Sequence, residues 1–325
     1  HAPSASPPPS SLPFQMPIGS IAARDAVQRS SFLTVFGSKI VLRRTNEANA
    51  VGPIGIIDLS APNGRTPGVA VAGMAPFAAG GSRLLAQGAD ETANGRIGTW
   101  AYSTQSTQAR APAVFLGTST AFCPSVDGET AWLTDGATAR QVSISDASML
   151  AGPYPLDGRL VASVGGGLLL QRGSAVVWWV PGTPGESRMV GSGTALAGAG
   201  EYILWQGPDG LVNVSDPNTR QVAATAVRLR PGQNIGAAAL SPGVVRVAVV
   251  AGRTLTIGDT FRRGRPITVA LGPIGDIAWL DDETVLARVG ATGLIVVDAT
   301  TGVIVHEPDL AYNSLGFALL PVPNR

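Results

Sequence analysis

The sequence contains very little histidine and cysteine. Its 325 residues include two histidines, His1 and His306, and one cysteine, Cys123. Protein zinc sites are built from clusters of Cys and His, and a Ser-His-Asp triad needs a histidine beside its nucleophile. No C-x-x-C motif is present, which excludes c-type haem attachment and thiolate-bound zinc. We therefore expect no metal and no cofactor, and we expect Cys123 to be a buried apolar residue without a disulfide partner.

Charge and long apolar runs are also scarce. Charged residues make up 14% of the chain and the net charge is +1, so no strong field is available to attract nucleic acid or an anionic membrane. No apolar run reaches the length of about 18 residues that a transmembrane helix needs. The chain begins at His1 with a Pro- and Ser-rich segment, residues 1–17. We interpret this segment as an extended tether, and we expect an N-terminus from which a signal peptide has been removed.

What the sequence has in abundance is short apolar runs separated by turn residues. The clearest example is Ile274–Val305, in which runs rich in Val, Ile, Leu and Trp are separated by Asp, Gly and Thr. Such runs are too short to show a helical period, and they predict an antiparallel meander of strands. One meander cannot bury both of its faces alone, so the pattern predicts further copies.

The copies recur about every 40 residues, with a β-run that ends in Asp or at an equivalent position. The equivalent positions are Asp58, Ser103, Asp146, Pro181, Asp216, Asp259 and Asp298. Seven repeats of this length predict an all-β fold, a seven-bladed β-propeller of four-stranded antiparallel blades. We expect the repeated Asp to cap the backbone of its own turn, because a catalytic group would not need five copies.

The repeats divide the chain into the tether and a single propeller domain, residues 18–325. The predicted blades span about 31–71, 73–115, 116–151, 153–193, 194–227, 233–271 and 272–306. Two strand candidates remain at the ends, Ile18–Ala23 and Gly316–Leu320. A ring must join its last blade to its first, and a strand from either terminus could do so. The C-terminal candidate is favoured because it is more apolar.

The segment Val296–Val305 resembles the repeats of YVTN-type and TolB-like bacterial propellers. The resemblance covers residues 31–306, and it implies a propeller that acts as a binding platform or, less often, as an enzyme. The segment is also similar to quinoprotein dehydrogenase repeats, which pair Asp with Thr-Gly and typically continue to a Trp. In this sequence Val305 and His306 occupy the position of that Trp, which argues against the quinoprotein resemblance.

The residues that could carry catalysis have simpler structural explanations. The carboxylate groups Asp90/Glu91, Asp127/Glu129 and Asp281/Asp282/Glu283 are flanked by turn residues, where solvated acids are usual. The glycine clusters Gly80-Gly81 and Gly165–Gly167 precede no helix, so they lack the helix N-terminus that binds phosphate.

Propellers usually bind their partners on the face that carries the connections between blades and between second and third strands. Six residues predicted on those connections form the candidate binding site: Arg228, Arg230, Tyr154, Gln206, Arg172 and Arg159. Arg and Tyr are enriched where interfaces gain most of their energy. The alternative is that these side chains belong to ordinary solvated loops.

Three functional hypotheses follow. The first is a non-catalytic, extracytoplasmic binding or scaffold module for a protein partner in the cell envelope or in an extracellular assembly. The second is a propeller that binds or cleaves glycans, which exposed aromatics and a carboxylate pair facing the channel would support. The third is a quinoprotein-like redox enzyme.

Overall fold

The computed structural model describes residues 39–45, 51–58, 74–80, 83–90, 96–103, 113–183, 185–230, 232–261, 264–290, 293–306 and 314–319. Two of the segments named above lie outside these residues, the tether 1–17 and Ile18–Ala23. The described residues form strands and turns and contain no helix, and hence none that could cross a membrane.

The strands form seven antiparallel sheets, which we number I to VII in chain order. Sheet I contains β1 (Lys39–Thr45), β2 (Val51–Asp58) and β27 (Ser314–Leu319); sheet II contains β3 (Met74–Gly80), β4 (Arg83–Asp90), β5 (Arg96–Ser103) and β6 (Ala113–Gly117). Sheet III contains β7 (Ala121–Pro124), β8 (Thr130–Thr134), β9 (Thr138–Ser143) and β10 (Met149–Pro155); sheet IV contains β11 (Arg159–Val164), β12 (Gly167–Arg172), β13 (Ala175–Trp179) and β14 (Ser187–Ser192). Sheet V contains β15 (Thr194–Ala199), β16 (Tyr202–Gln206), β17 (Leu211–Asp216) and β18 (Gln221–Arg228); sheet VI contains β19 (Ala237–Leu240), β20 (Arg246–Ala251), β21 (Thr254–Asp259) and β22 (Ile267–Ala270). Sheet VII contains β23 (Ile274–Trp279), β24 (Thr284–Val289), β25 (Gly293–Asp298) and β26 (Ile304–His306).

The sheets contact one another in a cyclic order. The first strand of each four-stranded sheet contacts the first strand of the next, from β3 through β7, β11, β15 and β19 to β23. The C-terminal strand β27 then contacts both β23 and β3. First strands that meet around a centre, with successive sheets radiating from them, define the β-propeller class predicted from the sequence.

The C-terminal strand joins the two ends of the chain. β27 pairs with β1 in register Ile40↔Leu319 and Leu42↔Phe317, and it occupies the first-strand place of sheet I. The sequence favours this C-terminal strand for closing the ring because it is more apolar than the N-terminal candidate. Sheet I is described with three strands, so seven complete four-stranded blades stay a prediction.

The structure shifts one predicted blade boundary. β10 continues to Pro155, so Pro153 and Tyr154 belong to sheet III and not to the following blade. Proline has no N–H to donate, but β10 is the outer edge strand, where one side of the backbone needs no partner.

The hydrophobic core lies between neighbouring sheets. Leu168, Leu169 and Leu170 are consecutive residues of β12 and are all essentially inaccessible to solvent, because sheets pack on both faces of the strand. The neighbouring indoles point in opposite directions, as expected for adjacent strand residues. Trp178 packs against sheet V and Trp179 against sheet III. Large apolar side chains therefore pack sheet IV against the sheets on both sides of it.

Cys123 lies in the same kind of environment. It is buried between sheets III and IV with Trp132 and Leu168, and it has no disulfide partner. Burial raises the pKa of its thiol to about 12, so the side chain stays protonated and behaves as a small apolar residue.

The repeated Asp residues cap their own turns where their side chains are described. The carboxylate of Asp146 accepts a hydrogen bond from Ser148 N at 3.0 Å, and that of Asp298 accepts from Thr300 N at 2.7 Å. Asp216 accepts in the same way from Asn218 N at 2.8 Å. The predicted structural role is confirmed for these three. Asp259 forms an ion pair with Arg246 at 3.7 Å, and the side chain of Asp58 lies outside the described set.

Candidate functional site

One face of the molecule carries the connections between sheets and the turns between second and third strands. We call it the connection face. First strands begin there and second strands end there, because neighbouring strands are antiparallel. The topology places all six predicted site residues at this face: Arg159 begins β11, Arg172 ends β12, Gln206 ends β16, Arg228 ends β18, Arg230 follows it, and Tyr154 lies one residue before the end of β10.

A cavity of about 540 Å³ opens on the connection face, at the point where β11, β15 and β19 begin. Two of the predicted residues, Arg159 and Gln206, line it. The other polar side chains in its wall are those of Thr194, Gln233 and Asn234. None of the described lining residues is acidic or aromatic. The cavity therefore offers amide groups, a hydroxyl and one guanidinium to an occupant.

Gln206 is the buried polar group of this cavity. The residue is only 7% exposed, and its Nε2 has no hydrogen-bond partner among the residues that the structure describes. Leaving a buried amide donor without an acceptor costs about 1–3 kcal/mol. Buried polar groups are rarely left in this state, so an unpartnered one beside a cavity draws attention to the cavity as a binding site.

Sheet IV contains an equivalent glutamine, Gln171, whose amide does have hydrogen-bond partners. Gln171 occupies in sheet IV the register position that Gln206 occupies in sheet V, opposite the first residue of the first strand. Its Nε2 donates to the carbonyl oxygen of Gly193 at 3.0 Å, and its Oε1 accepts from Ala195 N at 2.6 Å. Gln171 thus ties sheet IV to the start of sheet V.

We refer to the contact between sheets IV and V as the Gln171 junction, and to that between sheets V and VI as the Gln206 junction. Gln87 makes a similar bond across the junction of sheets II and III, from its Nε2 to the carbonyl oxygen of Ser119. At the Gln206 junction, Gln206 and the start of the next first strand, Ile235–Ala237, both line the cavity, and Nε2 of Gln206 makes no hydrogen bond to the described residues. The cavity therefore occupies the place where the glutamine bridge is missing.

Three guanidinium groups on the connection face differ in their partners. Arg172 pairs with Asp157 at 3.0 Å, and Arg228 pairs with Asp209 at 3.2 Å. No ion pair joins Arg159 to another residue of the described chain. Arg159, which is exposed and lines the cavity, therefore has no ion-pair partner in the described chain.

The two remaining predicted residues have different surroundings. Arg230 is exposed, and its backbone N donates to the side-chain Oε1 of Gln233 at 3.2 Å, which fixes the amide of Gln233 at the cavity edge. Tyr154 is half-buried and packs with Leu160 and Leu168 at the junction of sheets III and IV. Its ring is mainly part of the packing between these sheets, and it does not line the cavity.

Asp127, Asp281 and Asp282, which were weighed as members of catalytic pairs, hold backbone N–H groups; the side chains of Asp90 and Glu91 lie outside the described residues. Asp127 accepts from the backbone N of Glu129 at 2.8 Å, and Asp281 accepts from that of Glu283 at 2.7 Å. Asp282 accepts from Gly243 N at 2.6 Å, which links sheets VI and VII. In the described parts of the chain, no group of three or more His, Cys, Asp or Glu side chains is arranged to hold a metal ion.

Comparison with known proteins identifies relatives in fold only. No protein-family model matches the chain, and no curated protein matches it. Among solved structures, apo AztD from Citrobacter koseri is similar, with a TM-score of 0.52 and 11% identity over 87% of this chain and 98% of that one. The computationally designed Ika8 protein gives a TM-score of 0.54 and 15% identity over 86% of this chain and 89% of its own. The Cps50 (Swd1) β-propeller domain of Myceliophteria thermophila gives 0.49 and 13% over 71% and 84%.

The sequence reasoning found two of the cavity residues and missed most of its wall. Thr194, Gln233 and Asn234 were not among the six predicted site residues. A usable signal was present in the recurrence of Gln87, Gln171 and Gln206 near the ends of second strands. The cavity itself could not be predicted, because its size depends on the separation of two sheets.

Proposed function

We propose that this chain is a non-catalytic binding or scaffold module that receives a protein partner on its connection face. The observation that carries the proposal is the cavity at the centre of that face, with the unpaired guanidinium of Arg159 and the unpartnered buried amide of Gln206. A rigid ring of sheets that presents many short connections suits recognition of a large partner.

The acidic side chains support a binding role over a catalytic one. General acid–base catalysis needs a titratable group within hydrogen-bond reach of a bound substrate. The described lining of the cavity contains no carboxylate, and the carboxylates of Asp127 and Asp281 are engaged in turns. The cavity also lacks the aromatic platform that a glycan site would favour. A location outside the cytoplasm, in the envelope or in an extracellular assembly, stays a prediction that fractionation of the source cells would test.

The residues Arg228 and Arg230 provide the test of this face. The ion pair of Arg228 with Asp209 is solvent-exposed, with side-chain exposures of 57% and 52%, so it contributes little to stability. We expect the double variant Arg228→Ala/Arg230→Ala to melt at the wild-type temperature and to capture native partners more weakly. The measurement is affinity purification from the source organism with quantitative mass spectrometry of the bound proteins.

A matched control removes two arginines from the opposite face. Arg220 and Arg265 are exposed and lie on connections between third and fourth strands. Arg220 has a φ of 60°, so Asn is the suitable replacement there, and Ala serves at Arg265. The double variant Arg220→Asn/Arg265→Ala should retain every partner. If the control loses partners and the Arg228/Arg230 variant does not, the interface lies on the opposite face.

A further inference from the structure

The polar groups that line the cavity at the Gln206 junction limit the kind of molecule that it can bind. Its described polar side chains can donate hydrogen bonds, and the single charge among them is the positive charge of Arg159. A cation would find no carboxylate in this wall to pair with. A guanidinium presents a planar fork of donors that matches a carboxylate in shape as well as in charge.

The amide of Gln206 supplies a second donor to the same space. Less than 1 Å² of its Nε2 is accessible, so the side chain must turn about its torsions before the amide can reach an occupant. The amide gives up no hydrogen bond at Nε2 in doing so, because it has no partner there among the described residues. An acceptor placed in the cavity would therefore gain a hydrogen bond without breaking one at this atom.

We propose that the cavity binds a carboxylate, which pairs with the guanidinium of Arg159 and accepts a hydrogen bond from the turned amide of Gln206. The occupant takes the acceptor role that the carbonyl oxygen of Gly193 plays for Nε2 of Gln171. A volume of about 540 Å³ lies in the range of roughly 300–1,000 Å³ found for small-molecule sites. The carboxylate belongs either to a free organic acid or to the C-terminus of a protein partner.

This inference rests on the proposed function only in placing recognition on the connection face. Arg228 and Arg230 do not line the cavity. The Arg228→Ala/Arg230→Ala variant should bind carboxylate probes like the wild type even if it loses the protein partner. Failure of partner capture and failure of carboxylate binding are therefore separate results.

Isothermal titration calorimetry with the full chain tests the proposal. The probes are succinate, N-acetyl-triglycine with a free C-terminal carboxylate, and the same peptide with a C-terminal amide. At least one carboxylate probe should bind at one site with a Kd of about 1 mM or tighter, and the amide should not bind. Stronger binding of succinate points to a free organic acid, and stronger binding of the peptide acid points to a protein C-terminus. If neither acid binds at about 10 mM, or if the amide binds equally, the proposal is overturned.

Variants then locate the binding. Arg159→Gln and Gln206→Met should each weaken the bound probe about tenfold or more. Arg172→Gln is the matched control, because it removes an equal charge from the same face at a residue that does not line the cavity. An equal loss in the control would mean a general charge effect, and unchanged binding by Gln206→Met would remove the amide from the site; either result overturns the proposal. If Gln206→Met does not fold, Gln206→Asn, which shortens the reach of the amide, takes its place.

Discussion

The Gln171 and Gln206 junctions use the same residue at the same register position and differ in what lies across from it. The side chain of Gln171 bonds to backbone atoms at Gly193 and Ala195, whereas Nε2 of Gln206 faces no acceptor among the described residues. A glutamine at this position forms a bridge only where backbone groups of the next sheet meet its amide. At the Gln206 junction the amide lines a cavity instead, and there we propose that it binds an occupant.

The largest expected effect separates the two glutamines. Gln171→Met should lower the free energy of unfolding by about 3 kcal/mol, because it leaves the backbone groups of Gly193 and Ala195 without their side-chain partner. Gln206→Met should not lower the free energy of unfolding and should raise it by about 1 kcal/mol, because it removes a buried donor that has no partner among the described residues. Urea titrations of both variants provide the measurement. Equal losses would show that the two junctions are energetically alike.

Substitution of one glycine at each junction by alanine tests how tightly the two junctions are packed. A Cβ on Gly191, between sheets IV and V, would lie 2.5 Å from a ring atom of Trp205. A Cβ on Gly236, beside the cavity, would meet only a methyl of Val250 at 3.8 Å. Gly191→Ala should therefore cost about 2 kcal/mol through overpacking, and Gly236→Ala should be close to neutral. Melting temperatures decide between them, and a loss at Gly236 would show that the Gln206 junction is tightly packed.

A turn far from both junctions shows how much stability is lost when only a local capping hydrogen bond is removed. Asp298→Ala removes the acceptor of the backbone N–H groups of Thr300 and Thr301, at 2.7 and 2.9 Å, and should cost about 1 kcal/mol. Asp157→Ala is the control, because that side chain is 76% exposed and makes only a surface ion pair with Arg172. Denaturant titration should show a clear loss for Asp298 and almost none for Asp157. Partner capture should be unchanged in the Asp298 variant.

The smallest effect concerns pH. Hydrogen bonds from the backbone N–H groups of Thr138 and Ala137 lower the pKa of Asp135, and the backbone N–H of Ser148 lowers that of Asp146. A lowered folded-state pKa gives stability that is present above the ordinary value of 3.8 and lost as pH falls through the folded value. The melting temperature of Asp135→Ala should thus fall less below pH 4 than that of the wild type.

The two glutamine variants should show no such pH dependence. Glutamine does not titrate, so the difference in free energy of unfolding between Gln171→Met and Gln206→Met should be equal at about pH 7 and pH 5.

Local features of the chain were predictable because they depend on neighbouring residues. The pair Asp127/Glu129 was expected among turn residues, and it lies in the turn between β7 and β8, with Gly128 at a φ of 72°. The Asp turns at Asp146, Asp216 and Asp298 were expected for the same reason. The blade boundary at Pro153–Pro155 was misplaced, because an edge strand tolerates proline where a central strand does not.

By itself, the sequence determined the all-β class, the repeat of about 40 residues and the capping role of its recurring Asp residues. These follow from strand periodicity and from hydrogen bonds within a few residues. Only the tertiary structure decided that Arg159 and Gln206 share a cavity and that Gln171 does not. Identical glutamines at equivalent positions carry no local signal of this difference. The difference depends on contacts between residues that lie far apart in the chain.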